Sequence, residues 1–532
     1  MAVNTLAALL AARAGDDRPA LTFEGRTWSW HDYLGECDRA ATWMSAFEHP
    51  AHVAVLADNV PGVTFLVGAA ARSGNVLVAL NPTRTPAELT RDARATDVRV
   101  LLHDEPYGEA AREIADALGI PHLPLTEATS TTEPQNTRAQ RTADPGDLVM
   151  LIFTSGTSGT PRAVRVTQRK LAVPGTSLAA MLTHDDVVYC SMPLFHSGAL
   201  MAAYAPAVAA GATLVLRRRF SASGLLPDLR RHGVTYLHYV GKALSYVLAT
   251  EERPDDADNP LKLAFGNEGG ATTARRFGER FGCYVIESFG STETAISITP
   301  DPSGPPGCLG RLPDGIEIRD PVTGLRRAPA EFDAGRLANA DAAVGELVNV
   351  GGLGLFDGYY NDPEADAERI RRGVYWSGDL AYADKDGYVF FAGRGTERLR
   401  VDGENLAVAP IEAALRELPG VIEAAVYPVP DAAAGDQVMA ALVTGPLFTL
   451  DSLAEAELGA KAVPRYVRLS AELPQTASHK VVKRLLVREG WHAATDPVYL
   501  RTPTGYRPLT SDDIRDIEHA FTRHGRQHLL ES

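Results

Sequence analysis

Leu148 to Thr167 reads LVMLIFTSGTSGTPRAVRVT, and the fold assignment turns on this stretch. The apolar run Leu148 to Phe153 reads as a buried strand. Ala163 to Thr167 alternates apolar and polar residues like a second strand. Between them stand only Thr, Ser, Gly and Pro as far as Pro161, then Arg162. Gly156 and Gly159 permit positive φ, so successive backbone N–H groups can converge on an anion. Thr154, Ser155, Thr157 and Ser158 add hydroxyls, and Arg162 adds a fixed charge. By composition the segment is either a flexible surface hairpin loop or a cradle for a polyphosphate. It is not a P-loop, which ends in Lys-Ser/Thr and opens a helix. Here a strand follows, so no helix N-terminus assists the phosphates.

Strands and helices alternate on both sides of this loop. An amphipathic helix, a hairpin (Ala20 to Trp30) and a second helix come first. His52 to Pro82 then reads strand, turn, helix, strand, the pattern of a parallel α/β sheet. Val98 to His103 is a further strand, and Thr126 to Asp144 a polar connection. Downstream, strands are expected at Val187 to Ser191, Thr213 to Leu216, Val234 to Val240, Leu261 to Phe265 and Val285 to Phe289. Several end in polar or Gly-rich loops, where an open α/β sheet binds ligands. From about Pro302 the turns are dense and the strands short (Gly345 to Gly351, Tyr388 to Ala392), as in a β-rich subdomain. After Gly393 to Thr396 comes an α+β pattern, with a helix at Ala409 to Leu418 and strands at Ile422 to Val429 and Met439 to Val443. The expected fold is α/β: a large N-terminal domain (residues 1–394) of doubly wound sheets plus a β-rich subdomain, then a small α+β C-terminal domain (residues 395–532).

Composition narrows the function. The chain has 532 residues, 45% hydrophobic and 22% charged, with a formal net charge of −15. That balance is of ordinary globular type and argues against a nucleic-acid partner. Cys37, Cys190, Cys283 and Cys308 are far apart with no C-x-x-C pair, so neither a disulfide framework nor a zinc site is expected. The N-terminus lacks a signal-peptide pattern. Ala199 to Leu216 is long and apolar, but Pro206 and Gly211 interrupt it; a core helix and a buried strand fit better than a membrane span. These features suggest a cytoplasmic protein with no transmembrane segment, as a monomer or homodimer.

Six motifs carry a resemblance. They are Thr154-Ser-Gly-Thr-Ser-Gly-Thr-Pro161, Pro193-Leu-Phe-His-Ser-Gly198, Ser288-Phe-Gly-Ser-Thr-Glu293, Tyr375-Trp-Ser-Gly-Asp379, Gly393-Arg394 with Gly403-Glu-Asn405, and Leu473-Pro-Gln-Thr-Ala-Ser-His-Lys480. In this order they resemble the adenylate-forming superfamily of acyl-CoA synthetases, peptide-synthetase adenylation domains and luciferases. Tyr239-Val-Gly241, Gly266-Asn267 and Tyr506-Arg-Pro-Leu509 are similar to the fatty-acid-transport-protein or very-long-chain acyl-CoA synthetase branch.

The resemblance implies roles. Thr154 to Gly159 and Arg162 would hold the β- and γ-phosphates of ATP. Thr292 would bond the α-phosphate and Glu293 would bind Mg²⁺, a hard cation suited to oxygen ligands. Within the motif Ser288 to Ser291, with Gly290, Phe289 would stack on adenine, and Gly266, Asn267 and Glu268 would line its other side. Asp379 and Arg394 would hold the ribose. Lys480, on a mobile small domain, would sit between the acid and the α-phosphate. Phe195, His196, Val240, Gly241 and Lys242 would border the acid pocket, with His196 as a gate.

Some positions depart from the pattern: Arg162 and Phe289 replace a lysine and a tyrosine, His479 replaces a glycine, Thr396 stands at the hinge, and Lys242 stands where an acid is usual. The implied activity is a Mg·ATP-dependent ligase that forms an acyl-adenylate, from a fatty or other hydrophobic acid, and passes the acyl group to coenzyme A. An aryl-acid ligase and a diazotase coupling nitrite to an aromatic amine are alternatives. A non-catalytic nucleotide-binding homologue is the alternative of another class.

Overall fold

The strand expected at Leu148 runs Leu148–Thr154 and its partner runs Arg162–Thr167, antiparallel, with Thr154 opposite Arg162. The structure is a computed structural model. It describes residues 4–47, 50–129, 142–154, 161–267, 270–301, 303–333, 336–394, 398–401, 404–433, 435–456, 458–476, 481–493 and 495–530. The chain divides into two compact units. One comprises residues 1–269, 273–297 and 353–373; the other comprises 270–272, 298–352 and 374–532.

The first unit holds two sheets. In chain order its strands are β1 (Pro19–Phe23), β2 (Arg26–Ser29), β3 (His52–Leu56), β4 (Val76–Ala79), β5 (Val100–His103), β6 (His122–Pro124), β7 (Leu148–Thr154), β8 (Arg162–Thr167), β9 (Val187–Cys190), β10 (Thr213–Leu216), β11 (Tyr236–Val240), β12 (Leu263–Asn267) and β13 (Tyr284–Glu287). One sheet runs β6-β5-β3-β4-β7-β8 and the other β13-β12-β11-β9-β10-β1-β2. Pairing is parallel except at β7–β8 and β1–β2. Every residue of β3, β4, β5 and β11 is buried, as expected of parallel strands covered on both faces. The crossover after β3 is a helix, Pro61–Ser73. Proline opens it and Gly74, at φ 77°, closes it in the left-handed region. Ser29 and Asp32 form a reciprocal cap on the helix Trp30–Met44.

In the second unit the strands Gly310–Arg311, Tyr388–Arg394, Val374–Ala383, Gly345–Asn349 and Ile316–Arg319 lie side by side. Val421–Pro430, Asp436–Thr444, Tyr466–Leu469, Val498–Thr502 and Gly505–Pro508 form a separate sheet with the helices Val408–Arg416 and Ser511–Arg523. The α/β architecture read from the sequence is the one observed.

Several element boundaries differ from the expectation by one to three residues, and two of these bear on the site. Gly266 and Asn267 belong to β12 and not to the loop after it. The glycine signals close packing there: a β-carbon at Gly266 would stand 2.1 Å from the Tyr239 carbonyl oxygen. β13 ends at Glu287, so Ser288 and Phe289 lie beyond it; Ser288 turns back to donate from N and Oγ to the Gly266 carbonyl, at 2.7 and 3.0 Å. The apolar segment from Ser197 is helical with a π-turn at Leu200–Tyr204, before Ala205–Ala210 and then β10. Among the described residues no helix is long and apolar enough to cross a membrane.

Candidate active site

In the first unit the site is assembled where β7, β9, β11, β12 and β13 end. Thr154 closes β7 and is half-buried. Ser155, Gly156, Thr157, Ser158 and Gly159 lie outside the described residues, as do Glu268, Thr396, Gly403, His479 and Lys480. Arg162 opens β8 and is buried. Its guanidinium pairs with Glu368 and lies over the Tyr359 ring, 5.5 Å from the centroid.

Beyond β9, His196 and Phe195 face each other with ring centroids 4.8 Å apart. Ser197 Oγ lies 2.9 Å from Thr292 Oγ1. This contact joins two motifs that are far apart in sequence. Glu293 is buried, and the Tyr359 hydroxyl donates to its Oε1 at 2.8 Å. Burial pushes the Glu293 carboxyl up, but the Tyr359 hydroxyl, its own backbone N–H and the charges of Arg369 and Lys170 outweigh burial and hold it below the usual glutamate value. The next residue, Thr294, has φ 52°. A β-branched residue rarely adopts that conformation, and such strain collects at functional sites.

Asn267, at the end of β12, carries a buried Oδ1 with no hydrogen-bond partner among the described residues. A buried acceptor left in this way suits a ligand amino group. Val240 is buried and Lys242, in the helix Gly241–Leu248, is half-buried. Phe289 and Ser291 are half-buried and Gly290 is exposed.

In the second unit, Asp379 and Arg394 sit opposite each other on paired strands. Arg394 Nε lies 3.4 Å from Asp379 Oδ1. Ser377 Oγ accepts from Asp379 N at 3.0 Å and donates to the Leu347 carbonyl at 2.8 Å, while Gly378 N donates to Glu346 at 2.7 Å. The pairing slips between Leu380 and Ala381, and irregularities of this kind re-aim side chains near sites.

Two site residues carried little sequence signal. Tyr359 lies in GYYNDPE (358–364), which reads as a turn. Lys170 follows Gln168 and Arg169 and looks like surface charge, yet it has no solvent exposure. No group of three or more His, Cys, Asp or Glu among the described residues could cage a metal.

Residues 10–360 match the sequence profile described as AMP-binding enzyme, and residues 410–480 match its C-terminal domain. A medium/long-chain fatty-acid–CoA ligase of Mycobacterium tuberculosis is 46% identical over 91% of this chain and 96% of its own. A steroid-22-oyl-CoA synthetase of Rhodococcus jostii is 41% identical over 99% of both chains. The ATP-bound MatB of Rhodopseudomonas palustris shares the fold, with TM-score 0.80, 24% identity, and 93% of this chain and 99% of that one covered. The chain belongs to the AMP-binding enzyme family, as an AMP-forming acid–thiol ligase.

Proposed function

We propose that the chain uses Mg·ATP to activate a hydrophobic carboxylic acid, of fatty or steroid side-chain type, as an acyl-adenylate and transfers the acyl group to coenzyme A. The Ser197–Thr292 contact carries this reading. It ties the turn after His196, the expected acid gate, to the residue beside the metal carboxylate, where acid and α-phosphate must meet. The fatty-acid and steroid relatives favour a hydrophobic acid.

A carboxylate is a poor electrophile because oxide would have to leave. Attack of its oxygen on the α-phosphorus expels pyrophosphate; the thiol sulfur then attacks the acyl carbon and AMP leaves. The chain's task is to position the reactants and stabilise charge. Thr292 donates to the α-phosphate, and Glu293 offers the metal an ionised oxygen. The metal, when bound, neutralises phosphate charge. Thr154 to Gly159 and Arg162 hold the outer phosphates. Phe289 and Gly266 to Glu268 sandwich adenine, and Asp379 and Arg394 hold the ribose. Phe195, His196, Val240, Gly241 and Lys242 border the acid. Lys480 brings its charge between acid and α-phosphate from a small domain, residues 395–532, that turns about Arg394 to Glu397 against residues 1–394. A cytoplasmic location and a monomer or homodimer complete the proposal.

Pyrophosphate release tests it with long-chain acids, steroid side-chain acids, aryl acids, and nitrite with an arylamine, each with and without coenzyme A. Release and thioester formation with the hydrophobic acids are expected. Release driven by nitrite and amine alone would overturn the proposal, and no release with any acid would favour a non-catalytic homologue.

A further inference from the structure

One side chain stands between the exit of the phosphate loop and the Glu293 carboxylate. The Tyr359 hydroxyl donates to Glu293 Oε1 at 2.8 Å, and the Arg162 guanidinium rests on its ring. Both Tyr359 and Glu293 are buried. Tyr359 is itself fixed in place. Its N–H donates to Asp366 Oδ1 at 2.8 Å. Its neighbours are laced to β8: Tyr360 N donates to the Ala163 carbonyl at 2.8 Å and Arg165 N to the Gly358 carbonyl at 3.2 Å. Phe356 meets its ring edge-on, with centroids 5.2 Å apart. The same segment also holds the strained residue after Glu293, since Leu355 N donates to the Thr294 carbonyl at 3.1 Å.

A neutral hydroxyl suits this position. It occupies one lone-pair direction of one oxygen and adds no charge. The carboxylate is oriented, yet it keeps its full charge for a hard cation. A lysine or arginine at the same distance would neutralise it.

We propose that Tyr359 is a positioning residue for the metal–nucleotide site: its hydroxyl sets the Glu293 carboxylate for Mg²⁺ while its ring seats Arg162, so that one side chain aligns the metal ligand with the end of the phosphate grip. This rests on the reading of Glu293 as the Mg²⁺ ligand.

The test uses the purified full chain and the variants Tyr359→Phe, Glu293→Gln and their combination. Thr167→Val serves as control, because it removes the 2.7 Å bond from Thr167 Oγ1 to Asp357 in the same segment without touching Glu293. Two quantities are measured: the Mg²⁺ requirement of ATP–pyrophosphate exchange, and, independent of turnover, Mn²⁺ binding by electron paramagnetic resonance with a non-hydrolysable ATP analogue. Tyr359→Phe should weaken Mn²⁺ binding, raise the Mg²⁺ requirement about tenfold and add nothing to Glu293→Gln, while Thr167→Val should stay close to the parent. Unchanged Mn²⁺ binding in Tyr359→Phe, or equal weakening in Thr167→Val, would overturn the inference while Glu293→Gln still weakens binding. Unchanged binding in Glu293→Gln would overturn the metal-ligand reading, and this inference with it.

Discussion

The ammonium of Lys170 lies 5.8 Å from the centre of the Phe356 ring, without solvent exposure and without a hydrogen-bond partner among the described residues. Burial pushes its pKa down to about 8 from 10.5, against the opposing pull of Glu293 and Asp357. The folded value is below the unfolded one, so the unfolded chain holds this proton more tightly. Stability is therefore reduced below pH 8 and recovers as pH rises toward 10.5. Lys170→Met has similar volume and no charge. It should raise stability at pH 7 by on the order of 1–3 kcal/mol and abolish the gain between pH 8 and 10. Thermal midpoints of both proteins across that range check this.

Gly198 is pressed against His238. A β-carbon there would stand 2.8 Å from His238 Nε2. The ring cannot retreat freely, because it is buried and its Nδ1 bonds the Phe265 carbonyl at 3.1 Å. Gly198→Ala should cost about 1–3 kcal/mol by overpacking. It should also displace the turn that carries His196 and Ser197, so the KM for the acid should rise more than the KM for ATP. Steady-state kinetics with each substrate varied in turn separate the two effects.

Two glycines near the proposed adenine position should respond oppositely. A β-carbon at Gly266 would meet the Tyr239 backbone at 2.1 Å, whereas one at Gly290 meets nothing within 4 Å. No rotamer relieves a backbone clash, so Gly266→Ala must part β11 from β12. We expect it to lose about 3 kcal/mol or more and most ATP binding. Gly290→Ala should stay within about 0.5 kcal/mol of the parent. Thermal unfolding with and without ATP tests both.

Asp379 is buried opposite Arg394 and anchored through Ser377. Asp379→Asn keeps the shape and removes the charged acceptor. If its carboxylate binds both ribose hydroxyls, ATP affinity should fall at least tenfold, as befits hydrogen bonds to a charged group at about 1.5–3 kcal/mol. The variant should also discriminate less against 3′-deoxy-ATP, which calorimetric titration of both nucleotides would reveal.

The sheets were legible because parallel strands buried on both faces are spelled as apolar runs, such as HVAVL at 52–56 and VLLH at 100–103. Thr292 and Asp379 stood out through the motifs that hold them, Ser288 to Glu293 and Tyr375 to Asp379, although Asp379 lies inside the strand Val374–Ala383 and not in a turn. Other features were hidden for identifiable reasons. Gly266 reads as a loop signal, although its role is close packing inside β12. The π-turn at Leu200–Tyr204 is written in the same apolar alphabet as a regular helix. Tyr359 and Lys170 act through tertiary contacts more than 60 residues away in sequence, from Tyr359 to Glu293 and from Lys170 to Phe356, and no local pattern encodes such partners.

β8, the strand that begins at Arg162, is the outermost of its sheet. An outermost strand offers unpaired N–H and C=O groups to any other chain with a strand to add. Here Gly358 to Tyr360 lie along it, with Tyr359 bridged to Val164. The segment that steadies Glu293 therefore also blocks edge-to-edge self-association. Changes that peel residues 358–360 away would expose a template for aggregation, and the loss would register as insolubility as well as slow turnover.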